Sequence, residues 1–409
     1  SSSEATGSLG TMELKILSRD ISNLEQYNAI IDVEEALRTI VDVYVTNLIE
    51  NPSDEKYRKI RTLNIHFEER IGNLEGGMRV LQSLGFSQIK HTLHYSQQKI
   101  DLKWLQEARM FLNERLAAIQ TRITELPSRI SPSHRYESIL GAGWFESQGP
   151  RSNMEDDHIA YDNFSGESKQ GFFAVYDGHG GRQSVDFVAK ALHINLQKSM
   201  ETSPAKEMSI HLTNAYLKTD SQLRRRSILQ SGSTAVTCVI RYDKIKGKRM
   251  LHVANAGDSR AILSRKGRKA SRLTIDHKPS LPEEMKRICS LPGGFVSKSP
   301  PPRVLGYLAV SRALGDHSFK ERDYVVATPY CQDVELENGE DTLLILACDG
   351  VWDVMTDQEA VDFVHKIIDK SSTEPNHVNS TLTKASKALV NEALKRDTRD
   401  NVTVMVILL

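Results

Sequence analysis

The sequence predicts an α+β protein in two parts, a small, mainly helical region followed by a larger domain of stacked sheet and helix layers. Three observations carry this reading. Up to about Leu126, apolar residues recur at three- and four-residue steps, the period of helices with one buried face. Leu126-Pro-Ser-Arg-Ile-Ser-Pro-Ser-His134 then has two prolines, three serines and no periodicity, as an inter-domain linker does. Beyond it, short apolar runs alternate with helical segments, the pattern of packed sheet and helix layers. A length of 409 residues is natural for two domains. The expected boundaries are 28–125, a linker at 126–136, and 137–409.

Formal net charge is zero, so the global balance argues for neither nucleic acid nor an anionic membrane as partner. The longest apolar runs, such as Thr342 to Cys348, are far too short to span a bilayer. No secretory apolar region stands near the start. Cys238, Cys289, Cys331 and Cys348 are dispersed, without paired spacing. They suit a reducing compartment, cytoplasmic or nuclear, better than a disulfide framework. Cys348, inside an apolar run, reads as a small core residue.

Residues 1–27 are expected to be a disordered N-terminus. Ser1 to Thr11 are rich in Ser and Gly and read as a tag remnant, with Met12 as the native start. From about Asp32, Leu37, Ile40, Val41, Tyr44 and Leu48 share one helix face, and Asn51-Pro52 stops that helix. A second helical segment is expected over Glu55 to Arg70, with Tyr57, Ile60, Leu63 and Phe67. A third runs from Leu74 to Leu84 and ends at Gly85. A fourth begins after Asp101, burying Leu102, Leu105, Leu112, Leu116, Ile123 and Leu126. With no acid cluster, metal spacing or nucleophile constellation, a binding module fits this region better than an enzyme.

Asn51-Pro-Ser-Asp-Glu-Lys-Tyr-Arg-Lys-Ile-Arg-Thr-Leu-Asn64, then Phe67, then Gly72 through Gly85-Phe86 resembles the PUB domain of peptide N-glycanase and several ubiquitin-pathway proteins. The resemblance covers roughly residues 28 to 125. It implies capture of the C-terminal tail of an AAA ATPase of the valosin-containing protein type, in a pocket around Tyr57, Arg58, Arg61 and Asn64. Arg suits a carboxylate and Asn suits peptide backbone. The plainer alternative for these residues is a solvated helix face.

In the second part, Gly171-Phe-Phe-Ala-Val-Tyr-Asp-Gly-His-Gly-Gly181 is an apolar strand ending in a carboxylate, an imidazole and a glycine-rich turn. Further strands are expected at Ala235 to Ile240, Leu251 to Ala254, Leu343 to Ala347 and Val402 to Ile407. Helices are expected at Gly181 to Lys198, Ile210 to Arg226, Asp357 to Ile368 and Leu382 to Lys395. Acids recur at strand ends and turns: Glu155, Asp156, Asp177, Asp258, Asp316, Asp349 and Asp400. If most of them converge, the like charges need cations to offset their repulsion. All-oxygen ligands point to Mg²⁺ or Mn²⁺, and no CxxC or HExxH suggests zinc.

Seven runs then resemble, in order, the type 2C metal-dependent serine/threonine protein phosphatases. They are Arg151-Ser-Asn-Met-Glu-Asp156, Tyr176-Asp-Gly-His-Gly-Gly181, Ser231-Gly-Ser-Thr234, Ala256-Gly-Asp-Ser-Arg260, Leu308-Ala-Val-Ser-Arg-Ala-Leu-Gly-Asp316, Leu346-Ala-Cys-Asp-Gly-Val-Trp-Asp353 and Arg399-Asp-Asn401. The resemblance implies a four-layer αββα sandwich of two antiparallel sheets flanked by helices, with two Mg²⁺ or Mn²⁺ ions at one end and a weaker third. It implies that Asp177 bridges the two ions and that the Gly178 carbonyl, Asp349, Asp400 and Asp316 are ligands. Glu155 would act directly or through water, Asp156 through water, and Asp258 at the third ion. Arg151 would bind phosphate, and His179 would be the general acid.

The residue types suit that chemistry. Two metals about 3.5–4 Å apart lower the pKa of a bridging water to near 7, a drop of roughly nine units or about 12 kcal/mol. A general acid is typically worth about 10²–10⁴-fold, so the metals should dominate. The implied activity is hydrolysis of phosphoserine and phosphothreonine by direct in-line attack of water, with no phosphoenzyme. The segment Lys266 to Gly306 corresponds to the family's mobile flap, and either shapes substrate choice or is a surface loop. Thr328-Pro329 departs from an acidic residue before proline in many members. Two rivals remain: a pseudophosphatase scaffold that binds phosphoproteins without hydrolysis, and a two-metal hydrolase of small phosphate esters.

Overall fold

The computed structural model describes residues 3–95, 100–125, 135–244, 246–371 and 377–409. The chain divides into two compact units, Ser1–Leu126 and Pro127–Leu409. Most of the expected linker, residues 126–134, lies outside the described residues.

The first unit opens with a helix, α1 (Ser3–Tyr27), where a disordered terminus was expected. The reason is a short stripe beyond the Ser/Gly-rich start. Leu17, Ile21 and Leu24 follow at four- and three-residue steps and are fully buried in the unit's core. Next, α2 (Ile30–Thr39), a π-helical stretch (Ile40–Val45) and α3 (Thr46–Glu50) run on without a break. Their buried face holds Leu37, Ile40, Val41 and Leu48, as expected.

Glu55 to Arg70 is not one helix. It forms a 3₁₀ turn (Glu55–Arg58), strand β1 (Lys59–Arg61), the short α4 (Ile65–Phe67) and a π turn (Glu68–Gly72). Ile60 is drawn into a ladder opposite Leu93, and Leu63 is left 65% exposed, so the helical spacing of these residues was coincidental. After α5 (Gly77–Ser83), Gly85 takes φ +106 and ends the turn. Strands β2 (Phe86–Ile89) and β3 (Thr92–Tyr95) complete a small antiparallel sheet in the order β1-β3-β2. The Asp101 carboxylate accepts from the Trp104 N–H at 3.0 Å and caps α6 (Leu102–Glu125). Helices still dominate the unit.

The second unit stacks two antiparallel sheets. The larger contains β5 (Asp156–Asp162), β6 (Gly171–His179), β7 (Gly232–Ser233), β8 (Ala235–Asp243), β9 (Lys248–Ala256), β12 (Leu314–Gly315) and β13 (Tyr330–Glu335). Its order is β12-β7-β6-β8-β9-β13, with β5 also paired to β6. The smaller sheet contains β4 (Gly141–Ser147), β10 (Arg260–Arg265), β11 (Lys269–Arg272), β14 (Leu343–Ala347) and β15 (Val402–Leu408), in the order β11-β10-β14-β15-β4.

Alternation along the strands divides the core. Phe173, Val175, Leu344, Leu346, Met405 and Ile407 meet between the sheets. Phe172, Ala174 and Tyr176 turn the other way, onto α7 (Gln183–Thr202) and α8 (Met208–Arg225). Leu343, Ile345, Val404 and Val406 pack on α11 (Asp357–Asp369) and α12 (Val378–Lys395). With both faces of both sheets covered, the strands read as continuous apolar runs rather than alternating ones, and the layers are α-β-β-α.

The segment Lys266 to Gly306 is more than a loop. It contributes β11 and α9 (Pro282–Cys289), and a satellite core of Ile288, Val304, Val310, Ala313, Tyr324 and Val325 fixes it. Inside it, the buried Glu284 carboxylate accepts from Arg287 at 2.9 Å and from Arg312 at 2.7 Å.

Candidate metal centre

Strand ends build the site. β6 carries Asp177 and His179 past the edge of the apolar core, and Asp156 starts β5 directly opposite Asp177 in the ladder. Asp258 lies in the turn between β9 and β10. Asp349 follows β14 at the start of α10 (Asp349–Trp352), and Asp400 immediately precedes β15. Each carboxylate is therefore anchored by a sheet rather than a free loop, which fixes its direction. Two glycines make room. A Cβ on Gly178 would collide with the Glu155 carbonyl, and one on Gly232 would strike Asp316 and His179.

The carboxylates of Asp177, Asp258 and Asp349 each place an oxygen within 4.8 Å of the others, and Asp177 also groups with Asp156 and Cys348. Asp177 is common to both groups. Burial pushes its pKa well above the usual carboxylate range, and the charges of Asp156, Asp349, Asp258 and Asp400 push it further. Burial, then Asp258 and Asp400, raise Asp349 likewise. Asp156 is pushed up to about 7, by burial first. Asp258 goes to about 6 by burial, against the opposing charge of Lys278, whose ammonium is 3.6 Å away. Asp349 Oδ1 is buried with no hydrogen-bond partner.

Crowded, buried carboxylates with an orphaned oxygen are what a hard divalent cation satisfies, so these residues fit Mg²⁺ or Mn²⁺. Cys348 is a poor ligand despite its position. Burial raises its thiol far above the ordinary value, and its sulfur is engaged by the Thr403 N–H at 3.2 Å and the Asn401 carbonyl at 3.5 Å.

The other expected residues stand around this cluster. Asp400 Oδ2 accepts from Arg151 at 2.6 Å, and the Arg151 Nε–H also reaches the Arg399 carbonyl at 2.8 Å. Glu155 Oε2 accepts from the Gly181 N–H at 3.2 Å, and the Glu155 carbonyl accepts from the Gly178 N–H at 3.0 Å. Asp316, at φ +51, is 2.8 Å from His179 Nε2. Burial opposes charging His179, but the charge and hydrogen bond of Asp316, with the charges of Asp258 and Glu155, together raise the imidazole pKa. A cavity of about 380 Å³ opens beside the acids, lined by Arg151, Asp349 and Asp400 on one side and Pro301, Pro302 and Arg303 of the flap on the other.

Three contributors had weak sequence signals or none. Thr403 Oγ1 donates to Asp156 Oδ2 at 2.7 Å. Asn401 ties the start of β15 to the stretch between β4 and β5, accepting from the Glu155 N–H at 2.8 Å and donating to the Gln148 and Asn153 carbonyls at 2.7 and 2.9 Å. Its place in Arg399-Asp-Asn401 could have flagged it. Arg182 had no signal beyond following Gly181.

In the first unit, Tyr57, Arg58, Arg61 and Asn64 lie on the 3₁₀ turn, β1 and the turn after it, not on a helix face. Arg58 donates to the Pro52 carbonyl at 2.9 Å, and Asn64 Oδ1 caps α4 through the His66 N–H at 2.9 Å. Arg61 and Asn64 are exposed, beside Leu63 and Ile65 at 65% and 62% exposure.

Comparison with known proteins matches residues 140–402 to the protein phosphatase 2C family and residues 32–113 to the PUB domain. Protein phosphatase 2C homolog 1 of Schizosaccharomyces pombe is 38% identical over 68% of this chain and 74% of its own length. Protein phosphatase 2C homolog 1 of Saccharomyces cerevisiae is 39% identical over 68% and 96%. The fold is shared with serine-threonine phosphatase 2C from Toxoplasma gondii, at TM-score 0.53 and 22% identity over 65% of this chain and 94% of that one. It is also shared with a C. elegans sex determining protein, at 0.60 and 21% over 97% and 94%. Among the described residues, no helix is long and apolar enough to cross a membrane. Strand-end acids on an α-β-β-α sandwich and these matches lead to one assignment: the chain belongs to the protein phosphatase 2C family of serine/threonine phosphatases and carries an N-terminal PUB domain.

Proposed function

We propose that residues 137–409 hydrolyse phosphoserine and phosphothreonine in proteins at a centre for two Mg²⁺ or Mn²⁺ ions, and that residues 28–125 bring this activity to the C-terminal tail of an AAA ATPase. The observation that carries the first part is the meeting of Asp156, Asp177, Asp258 and Asp349, from separate segments, in two neighbouring acid groups that share Asp177. Asp177, common to both acid groups, is suited to hold both ions. Asp349, Asp400, Asp316, Glu155 and the Gly178 carbonyl complete the donor set, with Asp156 acting through water and Asp258 at a weaker third ion. The bound cations would supply charge neutralisation and an acidified water for in-line attack.

This chain's residues do the rest. Arg151 spans Asp400 and the cavity, so its guanidinium can turn two N–H groups to the phosphate. His179 keeps one N–H on Asp316, and as an imidazolium it has the other to give to the leaving alkoxide. Support for the tail-binding role comes from the PUB match and the exposed Arg61 and Asn64 beside an apolar pair. All four cysteines are free thiols, in keeping with the cytoplasm or nucleus.

The test is turnover of p-nitrophenyl phosphate and a phosphothreonine peptide with Mn²⁺, with and without chelator. Hydrolysis of both, lost on chelation, is expected, and equal rates with and without chelator would sink the reading. A sugar phosphate cleaved faster than the peptide would point to a small-ester hydrolase instead. Calorimetry with an AAA ATPase tail peptide tests the first unit, and no heat at high micromolar peptide would remove the partner.

A further inference from the structure

β5 bears Asp156 at its start and Glu155 just before it, and among the described residues it pairs with a neighbour on one side only, β6. Backbone carbonyls alternate sides along an extended chain. The Glu155 carbonyl turns inward to the Gly178 N–H at 3.0 Å. Those of Met154 and Asp156 turn outward, where another strand would otherwise satisfy them.

Arg182 takes the place of that strand. Its Nη1 donates to the Met154 carbonyl at 2.7 Å and to the Asp156 carbonyl at 3.1 Å. Its Nη2 donates to Asp157 Oδ2 at 3.2 Å, and its Nε donates to Asp186 Oδ1 at 3.0 Å. Arg182 follows Gly181, whose own N–H holds Glu155 Oε2, and it leads into α7. One guanidinium thereby ties residues 154–157 to the corner after the strand that bears Asp177.

We propose that Arg182 is a positioning residue for the cation site: by clamping the main chain on both sides of Glu155, it fixes where Glu155 and Asp156 stand relative to Asp177. The proposal rests on the metal-centre reading above. Residues that orient metal ligands from outside typically change metal affinity by about 10–100-fold when removed. Lysine offers one ammonium on a flexible stem and cannot reach two carbonyls and two carboxylates together.

The experiment is calorimetric titration of Mn²⁺ into the full chain without substrate, for the parent, Arg182→Ala, Arg182→Lys and Asp186→Asn. Affinity should fall by about 10-fold or more in Arg182→Ala, partly recover in Arg182→Lys, and change least in Asp186→Asn, where the carbonyl clamp survives. In turnover of p-nitrophenyl phosphate, half-saturating Mn²⁺ should rise while kcat at saturating Mn²⁺ stays near the parent's. A folded Arg182→Ala with the parent's Mn²⁺ affinity and a lower Tm would mean a purely structural role and would overturn the proposal. If Arg182→Ala does not fold, equal affinities for the parent and Arg182→Lys overturn it instead. A parent that binds no Mn²⁺ would defeat the metal-centre reading, a result distinct from either.

Discussion

Asp177 and Asp156 face each other across a ladder position with Asp349 and Asp258 close by, so the cation-free site works against the fold. Replacing Asp177 with Asn removes one of the repelling charges and keeps the shape. The expected result is a Tm without cation at or above the parent's, together with loss of the Tm rise that Mn²⁺ gives the parent and loss of turnover. Thermal scans with and without Mn²⁺ measure both, and a retained Mn²⁺-induced rise would exclude Asp177 as the shared ligand. A second residue sets behaviour in acid. His193 on α7 is buried against Tyr161 and Phe172. Burial pushes its imidazole down to about 4 from 6.5, against a weaker opposing contact with the Ala189 carbonyl. As pH falls through that interval, the unfolded chain binds a proton that the folded chain refuses, so stability falls with pH. The interval corresponds to roughly 3 kcal/mol. His193→Phe should flatten this part of the pH–stability curve, as read by urea denaturation at pH 4.5 and 7.

At the scale of elements, α1 contributes Leu17, Ile21 and Leu24 to the first unit's core. Leu17→Ala should destabilise that unit by about 2–5 kcal/mol, measured by denaturant unfolding. No change would return α1 to the disordered tail first expected. That expectation failed because the Ser/Gly-rich start hid a short stripe, Leu14, Leu17, Ile21 and Leu24, beyond it. The expected helix over Glu55 to Arg70 failed for a different reason: the pull on Ile60 comes from Leu93, far away in sequence, and tertiary pairing overrode local period. Strands buried on both faces, such as β14 and β15, were legible as apolar runs. β13, which among the described residues pairs only with β9 and exposes Asp333 and Glu335, has no such run and was missed. The acids were legible because they recur at the ends of apolar runs and in the turns beside them. Thr403 and Arg182 were not, since their roles depend on which distant segments the sheets bring together.

For the molecule as a whole, every residue assigned to hydrolysis lies in the second unit, which has its own core. Residues 135–409 expressed alone should therefore turn over p-nitrophenyl phosphate with the parent's Mn²⁺ dependence. A large loss would show that the first unit contributes to the chemistry. The sheet order has one more outcome. β15 lies between β14 and β4, so the first and last strands of the unit are zipped side by side, Gly141 against Leu408. While the ribosome is still at work, β4 and β14 wait with unpaired edges, and such edges invite aggregation and quality control. Asp400 is translated just ahead of the strand that closes those edges. A product that stopped before residue 400 would therefore lack both the Asp400 carboxylate and the strand that closes the sheet, and its open edges would invite clearance.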